Sequence, residues 1–253
     1  MAKEDWNFGE DVATGSDTES KRNKAILRIA YLLAASDGAV REDEREVFKR
    51  TLASLEGFEM GAAETTKFIE DIVEDARKLA FLRDFYSEDE MVKAFLSKVA
   101  EDIFTLYGDK VSVRKAFSAC IAICLADKEY SAFERRLVRE MQVSVNTVDA
   151  QSIGAFGRSL MGGLFGPAGA IASTLAGGVL GSALKKNADK REFGPDAYVP
   201  DAFLAEVEER CVVIDQMQDR LAKCKNKGRK QSIEESLRYL AESLKDYIEN
   251  VNN

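Results

Sequence analysis

Apolar residues recur along this chain at spacings of three and four, the period of an amphipathic helix, and two of these stretches repeat one another. Residues 27–54 and 117–144 each read as a buried helix, a short acidic turn, one apolar residue and a second helix. They superpose at a constant offset of ninety positions (127 − 37 and 134 − 44), with Asp37 on Asp127 and Glu44 on Glu134. Leu33 falls on Ile123, Val40 on Tyr130, Val47 on Leu137 and Phe48 on Val138. Asp37-Gly38 supplies the first turn, where glycine tolerates a positive φ. The second turn departs from this, with Lys128 after Asp127.

Two further helices are expected between the copies. Residues 64–81 place Phe68, Ile72, Ala76 and Leu79 on one face. Ser87-Glu88-Asp89-Glu90 is a capping box that opens a helix carrying Val92, Phe95, Leu96, Val99 and Ile103. Near the end of the chain, Phe203, Val207, Ile214, Met217 and Leu221 form one apolar seam, broken at Arg210. Ile233, Leu237, Leu240, Leu244 and Tyr247 form a second, after a basic turn at 225–230. The pair reads as an antiparallel hairpin that either binds a partner protein or second copy or completes the main core.

The pattern changes abruptly over residues 153–184. Arg158 is the one charge there, and Gly162, Gly163, Gly166, Gly169, Gly177, Gly178 and Gly181 punctuate an otherwise apolar run that Lys185 and Lys186 close. Gly177 and Gly181 have the spacing that lets helix backbones approach closely in lipid. Pro167 divides the run into arms too short for a comfortable span of about twenty residues each, so a re-entrant hairpin or a kinked helix fits better. Burial between protein surfaces and a plain linker are the alternatives. Residues 187–200, with charges, glycine and two prolines, read as a connection.

Composition narrows the function. There are three prolines, at Pro167, Pro195 and Pro200, so nothing interrupts helices over the first 166 residues. An all-α fold is expected. A net charge of −8 lacks the basic stripe that nucleic acid requires, so no nucleic-acid partner is expected. The first twenty residues set Lys3 against Glu4, Asp5, Glu10, Asp11, Asp17 and Glu19, and read as an acidic disordered arm. Met1 is followed by charge, with no export signal, and the four cysteines suit a reducing compartment, so a cytoplasmic location is expected. If residues 153–186 meet an inner membrane, both ends of the chain stay on the cytoplasmic side. Histidine is absent, which removes the commonest general base and every His-ligated zinc site. Cys120 and Cys124 lie in an apolar run and read as core residues. A metal here would be a hard cation held by carboxylate oxygen.

The run 30–40, Ala-Tyr-Leu-Leu-Ala-Ala-Ser-Asp-Gly-Ala-Val, followed by Glu44, resembles the signature of the TerB-like domain of bacterial tellurite-resistance and stress proteins. Residues 122–134 resemble its second half. The resemblance covers residues 21–150 and implies an all-helical domain, a divalent cation such as Ca²⁺ at acidic positions, and adaptor roles in membrane-linked stress or defence responses without catalysis. The positions it marks are Asp37, Glu44, Asp127 and Glu134.

Each carboxylate also has a local explanation. Ser131 and Glu134 form a capping box in which Glu134 reaches back to a backbone N–H. Arg41 stands at the equivalent cap position of the first copy, a poor capping side chain, which leaves Glu44 less easily explained that way. Asp37 follows a helix C-terminus, where free carbonyls already concentrate negative charge, and so calls for a cation, a basic partner or the N–H groups of the next turn. The expected function is therefore a non-enzymatic stress or defence adaptor, its helical domain tethered to a membrane or partner. The alternative is a membrane-active effector whose glycine-rich segment inserts or oligomerises under control of that domain.

Overall fold

The computed structural model describes residues 17–38, 40–55, 62–127, 130–147 and 192–251. Among these the chain is all-helical, with eight α-helices and two single 3₁₀ turns. Six helices form the body: α1 (Asp17–Ala34), α2 (Glu42–Ser54), α3 (Ala62–Leu82), α4 (Glu88–Leu106), α5 (Lys110–Cys124) and α6 (Ala132–Thr147). The 3₁₀ turns Ala35–Asp37 and Leu125–Asp127 follow α1 and α5, as the repeat predicts. Two longer helices, α7 (Asp201–Lys223) and α8 (Lys227–Asn250), pair as the C-terminal hairpin. No helix among the described residues is long and apolar enough to cross a membrane. The glycine-rich stretch, with Gly162, Gly163, Gly166, Gly169, Gly177, Gly178 and Gly181, lies outside the described residues.

The two buried helices of the repeat, α1 and α5, pack on each other at the centre, and α4 lies along α1. Leu27, Ala30, Leu32 and Leu33 of α1 and Cys120, Ile121 and Ile123 of α5 are wholly buried. Phe48 of α2 closes one side, its ring edge-on to Tyr31 at 4.9 Å between centroids. Burying one such ring is worth about 1.5–3 kcal/mol, so these positions dominate the body's stability.

Local chemistry sets the helix boundaries. The Ser87 N–H donates to Glu90 at 2.8 Å, the expected capping box of α4. Asp109 caps α5 by accepting from the N–H groups of Val111 and Ser112 at 3.0 and 3.3 Å. Gly38 has φ of 148° and Gly108, between α4 and α5, has φ of 90°, conformations that favour glycine. One ionic network crosses the body. Arg28 pairs with Asp75 and, at 3.1 Å, with Asp102, while Lys98 reaches Asp75 at 2.9 Å.

The hairpin is joined to the body at its base. Arg114 of α5, 1 % exposed, donates to the carbonyls of Tyr198 (2.9 Å), Val251 (3.0 Å) and Ala197 (3.4 Å). Its guanidinium also lies over the Phe203 ring at 5.3 Å. Residues 192–200, expected as a connection, rest against α5 and α6: Tyr198 stacks on Tyr107 at 4.9 Å, and Asn146 both donates to and accepts from the Val199 backbone. Arg210, the break in the α7 seam, stays beside α8, donating to the Ser243 carbonyl at 3.1 Å and lying 4.8 Å from the Tyr247 ring. The basic stretch expected as a turn is largely the first turn of α8. Asn226 caps that helix by accepting from the Arg229 N–H at 3.1 Å, so Lys227–Lys230 are helical.

Candidate functional site

The four acidic positions singled out by the repeat belong to two places in each copy, the end of a 3₁₀ turn and the first turn of the following helix. Asp37 and Asp127 close their turns, and Glu44 and Glu134 stand at the third position of α2 and α6. The copies are interlocked. Helix α2 packs on the second copy's turn, Leu125–Asp127, and α6 packs on the first copy's turn, Ala35–Asp37. Each glutamate-bearing helix therefore starts against its own turn in sequence and against the other copy's turn in space.

Glu44 and Glu134 are each only 2 % exposed. The Arg41 N–H donates to Glu44 at 2.6 Å, and the Ser131 N–H donates to Glu134 at 2.7 Å. The expectation that Arg41 would leave Glu44 without a capping task is corrected by this bond. A carboxylate at the third helical position binds the backbone N–H of the cap residue, which arginine supplies as well as serine does. In the second copy the box is complete, with the Glu134 N–H donating to the Ser131 hydroxyl at 3.2 Å.

Both glutamates act on Cys124, a residue that the sequence did not single out as part of a site. Burial pushes the Cys124 thiol well above its ordinary range, and Glu134, Cys120 and Glu44 all push it further. Burial likewise holds Tyr130 far above the usual phenol range, with Cys124, Glu208, Cys120 and Glu134 adding to it. A thiol kept protonated is a poor nucleophile, so Cys124 supplies no reactivity here. The four cysteines are free, and burial pushes Cys211 up to about 12.

The donor set allows one test of the cation that the resemblance implies. Ca²⁺ takes six to eight oxygens. Glu44 and Glu134 both already accept from backbone N–H groups, and the described side chains form no cluster of three ligating residues. These two alone do not make a cation site. The side chains of Asp37 and Asp127 lie outside the described residues.

The second turn also meets the C-terminal hairpin. Helix α7 packs on Leu125–Asp127, and Glu208 of α7 faces Arg135 of α6 at 3.7 Å. The acidic end of the body and the base of the hairpin are thus one contiguous region. Beside the first turn is a hollow of about 360 Å³ bordered by Tyr31, Gly38, Val40, Arg45 and Ala76. Compared with protein-family models, curated proteins and solved structures, the chain matches none.

Proposed function

We propose that this chain is a non-enzymatic helical adaptor of the TerB-like kind, whose body carries the interlocked acidic turns and whose residues 201–253 are an arm for a protein partner or a second copy. One observation carries this. The hairpin is fixed to the body only near Phe203, Val207, Cys211 and Ile248, which are buried, whereas Ile214, Met217, Leu221, Ile233, Leu237 and Leu240 are only half-buried along its length. Two paired helices cannot cover both sides of their own seam, so such a stripe gains stability when another surface closes over it.

Three features add to this proposal. The copies interlock as a duplicated domain would, the buried Cys120 and Cys124 thiols are held protonated, and α7 links the second acidic turn to the arm. A divalent cation at Asp37 and Asp127, beside Glu44 and Glu134, and membrane contact through residues 153–186 belong to the same proposal.

The test compares the full chain with Leu240→Asp. Sedimentation over a range of concentrations, and partner capture with each as bait, should show an association in the wild type that the variant loses at unchanged helix content. A chain that stays monomeric and captures the same proteins in both forms overturns the arm.

A further inference from the structure

Away from the acidic turns, the C-terminal end of α3 and the start of α4 enclose an apolar groove of about 400 Å³. Leu79, Leu82, Tyr86 and Ala94 line it, and Phe81 borders it. Phe81 and Phe85 lie 5.0 Å apart between centroids, their rings tilted at 47°, yet are 64 % and 68 % exposed, an unusual outlay of aromatic surface in water. The cations of the groove are not equivalent. Lys78 is held by Glu74 at 2.7 Å and Lys98 by Asp75 at 2.9 Å. Arg77, exposed on the wall, makes no ion pair among the described residues. The groove thus offers an apolar floor, exposed rings and the unpaired guanidinium of Arg77.

The chain itself holds a segment of complementary chemistry. Glu4-Asp5-Trp6-Asn7-Phe8-Gly9-Glu10-Asp11 combines two large aromatics with four carboxylates, and Trp6 is the sole tryptophan. Trp6 and Phe8 are two residues apart, which in an extended strand places both rings on one face. Reach is sufficient. Arg28, eleven residues into the chain beyond Asp17, lies about 17 Å along α1 at 1.5 Å per residue. It pairs with Asp75, which pairs in turn with Lys98 of the groove wall. Eleven extended residues back from Asp17 to Trp6 span about 36–40 Å, enough to cross that distance and the width of the neighbouring helices.

We infer that the groove between α3 and α4 is the docking site of the chain's own acidic N-terminal segment, with Trp6 and Phe8 against Leu79, Phe81 and Leu82 and the flanking carboxylates toward Arg77. The inference is independent of the arm at 201–253.

Trp6 makes the test direct, because no other residue contributes tryptophan emission. In the full-length protein the emission should lie to the blue of the urea-unfolded chain and resist iodide quenching. Arg77→Glu and Phe81→Ser, both at exposed positions, should each shift it toward the unfolded value, and high salt should do so in part by screening the carboxylate–guanidinium contacts. Three outcomes overturn the inference: emission already at the unfolded value in the wild type, a blue shift that survives both substitutions, or a shift that grows with protein concentration, which would place the segment on another copy.

Discussion

The Arg114 guanidinium donates to the carbonyl of Val251, 137 positions further along the chain, at 3.0 Å. With its bonds to Tyr198 and Ala197, this fixes both the entry to α7 and the end of α8 on one buried side chain of α5. Arg114→Met would keep much of the volume but leave three carbonyls without their donor. Each hydrogen bond to a charged group is worth about 1.5–3 kcal/mol, and they do not add fully. The expected loss is about 3 kcal/mol in urea unfolding. Hydrogen exchange should rise first over residues 192–207 and 244–251, with α1 and α4 protected longer.

The pH dependence of stability centres on Asp102. Burial pushes its carboxyl up to about 7, against an ordinary value of 3.8, with Glu101 and Asp75 adding to the rise and Arg28 opposing it. The native state therefore holds this proton where the unfolded chain has released it. Stability from this group is present below about pH 4 and is lost as pH rises toward 7, at no more than about 1.4 kcal/mol per unit. Asp75 works in the other direction. Burial raises its pKa, but Lys98 and Arg28 outweigh that and hold it below the ordinary value, so its contribution is lost as acid protonates it. Asp102→Asn separates the two. Relative to wild type, the variant should gain stability from about pH 4 to about pH 7 in denaturant titrations and level off above that.

Much of this fold follows from local rules visible in the residues. The ninety-residue offset placed both 3₁₀ turns, Ser87 and Glu90 marked the start of α4, and Gly38 has the positive φ its turn implied. The role of Glu44 was hidden because the bond it makes is to the Arg41 backbone, and a side-chain ranking of caps does not speak to that. The docking of 192–200 was hidden for a related reason. Its partners are the backbone groups of Ala197, Tyr198 and Val199, while its composition, two prolines, a glycine and charges, is that of a connection. The crossing of each copy's helix onto the other copy's turn is a tertiary relation that periodicity within a single helix pair does not contain.

Cation binding at the acidic turns gives a test in which fold and site separate. In the full chain, Ca²⁺ at about ten times its Kd should raise unfolding stability by about 1.4 kcal/mol. Asp37→Asn should abolish the rise with helix content unchanged. Glu134→Gln keeps an acceptor for the Ser131 N–H, so it should cost little by itself, whereas Glu134→Ala should cost about 1 kcal/mol with or without cation. Identical unfolding curves in millimolar Ca²⁺, Mg²⁺ and Mn²⁺ would leave Glu44 and Glu134 as helix caps alone.

Asn146 and Val199 decide how the glycine-rich stretch can be placed. The Asn146 amide donates to the Val199 carbonyl at 2.9 Å and accepts from the Val199 N–H at 3.1 Å, one residue before α6 ends at Thr147. Two turns back along α6, Arg139 pairs with Asp201, which also accepts from the Phe193 N–H at 2.9 Å. The chain thus leaves the body from α6 and returns to α6, so the intervening residues can be shortened without separating their ends. Replacing 153–186 by a short Gly/Ser linker should change stability by no more than about 1 kcal/mol, since halving a loop alters its closure cost by only about 0.6 kcal/mol. If the stretch enters lipid, the full chain should float with vesicles and the shortened chain should stay at the bottom of the gradient. Gly177→Leu and Gly181→Leu should leave flotation unchanged while weakening any assembly that needs close backbone approach. Leakage of vesicle contents on binding would favour the effector over the adaptor. A full chain that remains at the bottom removes the membrane contact and leaves burial against protein as the role of these glycines.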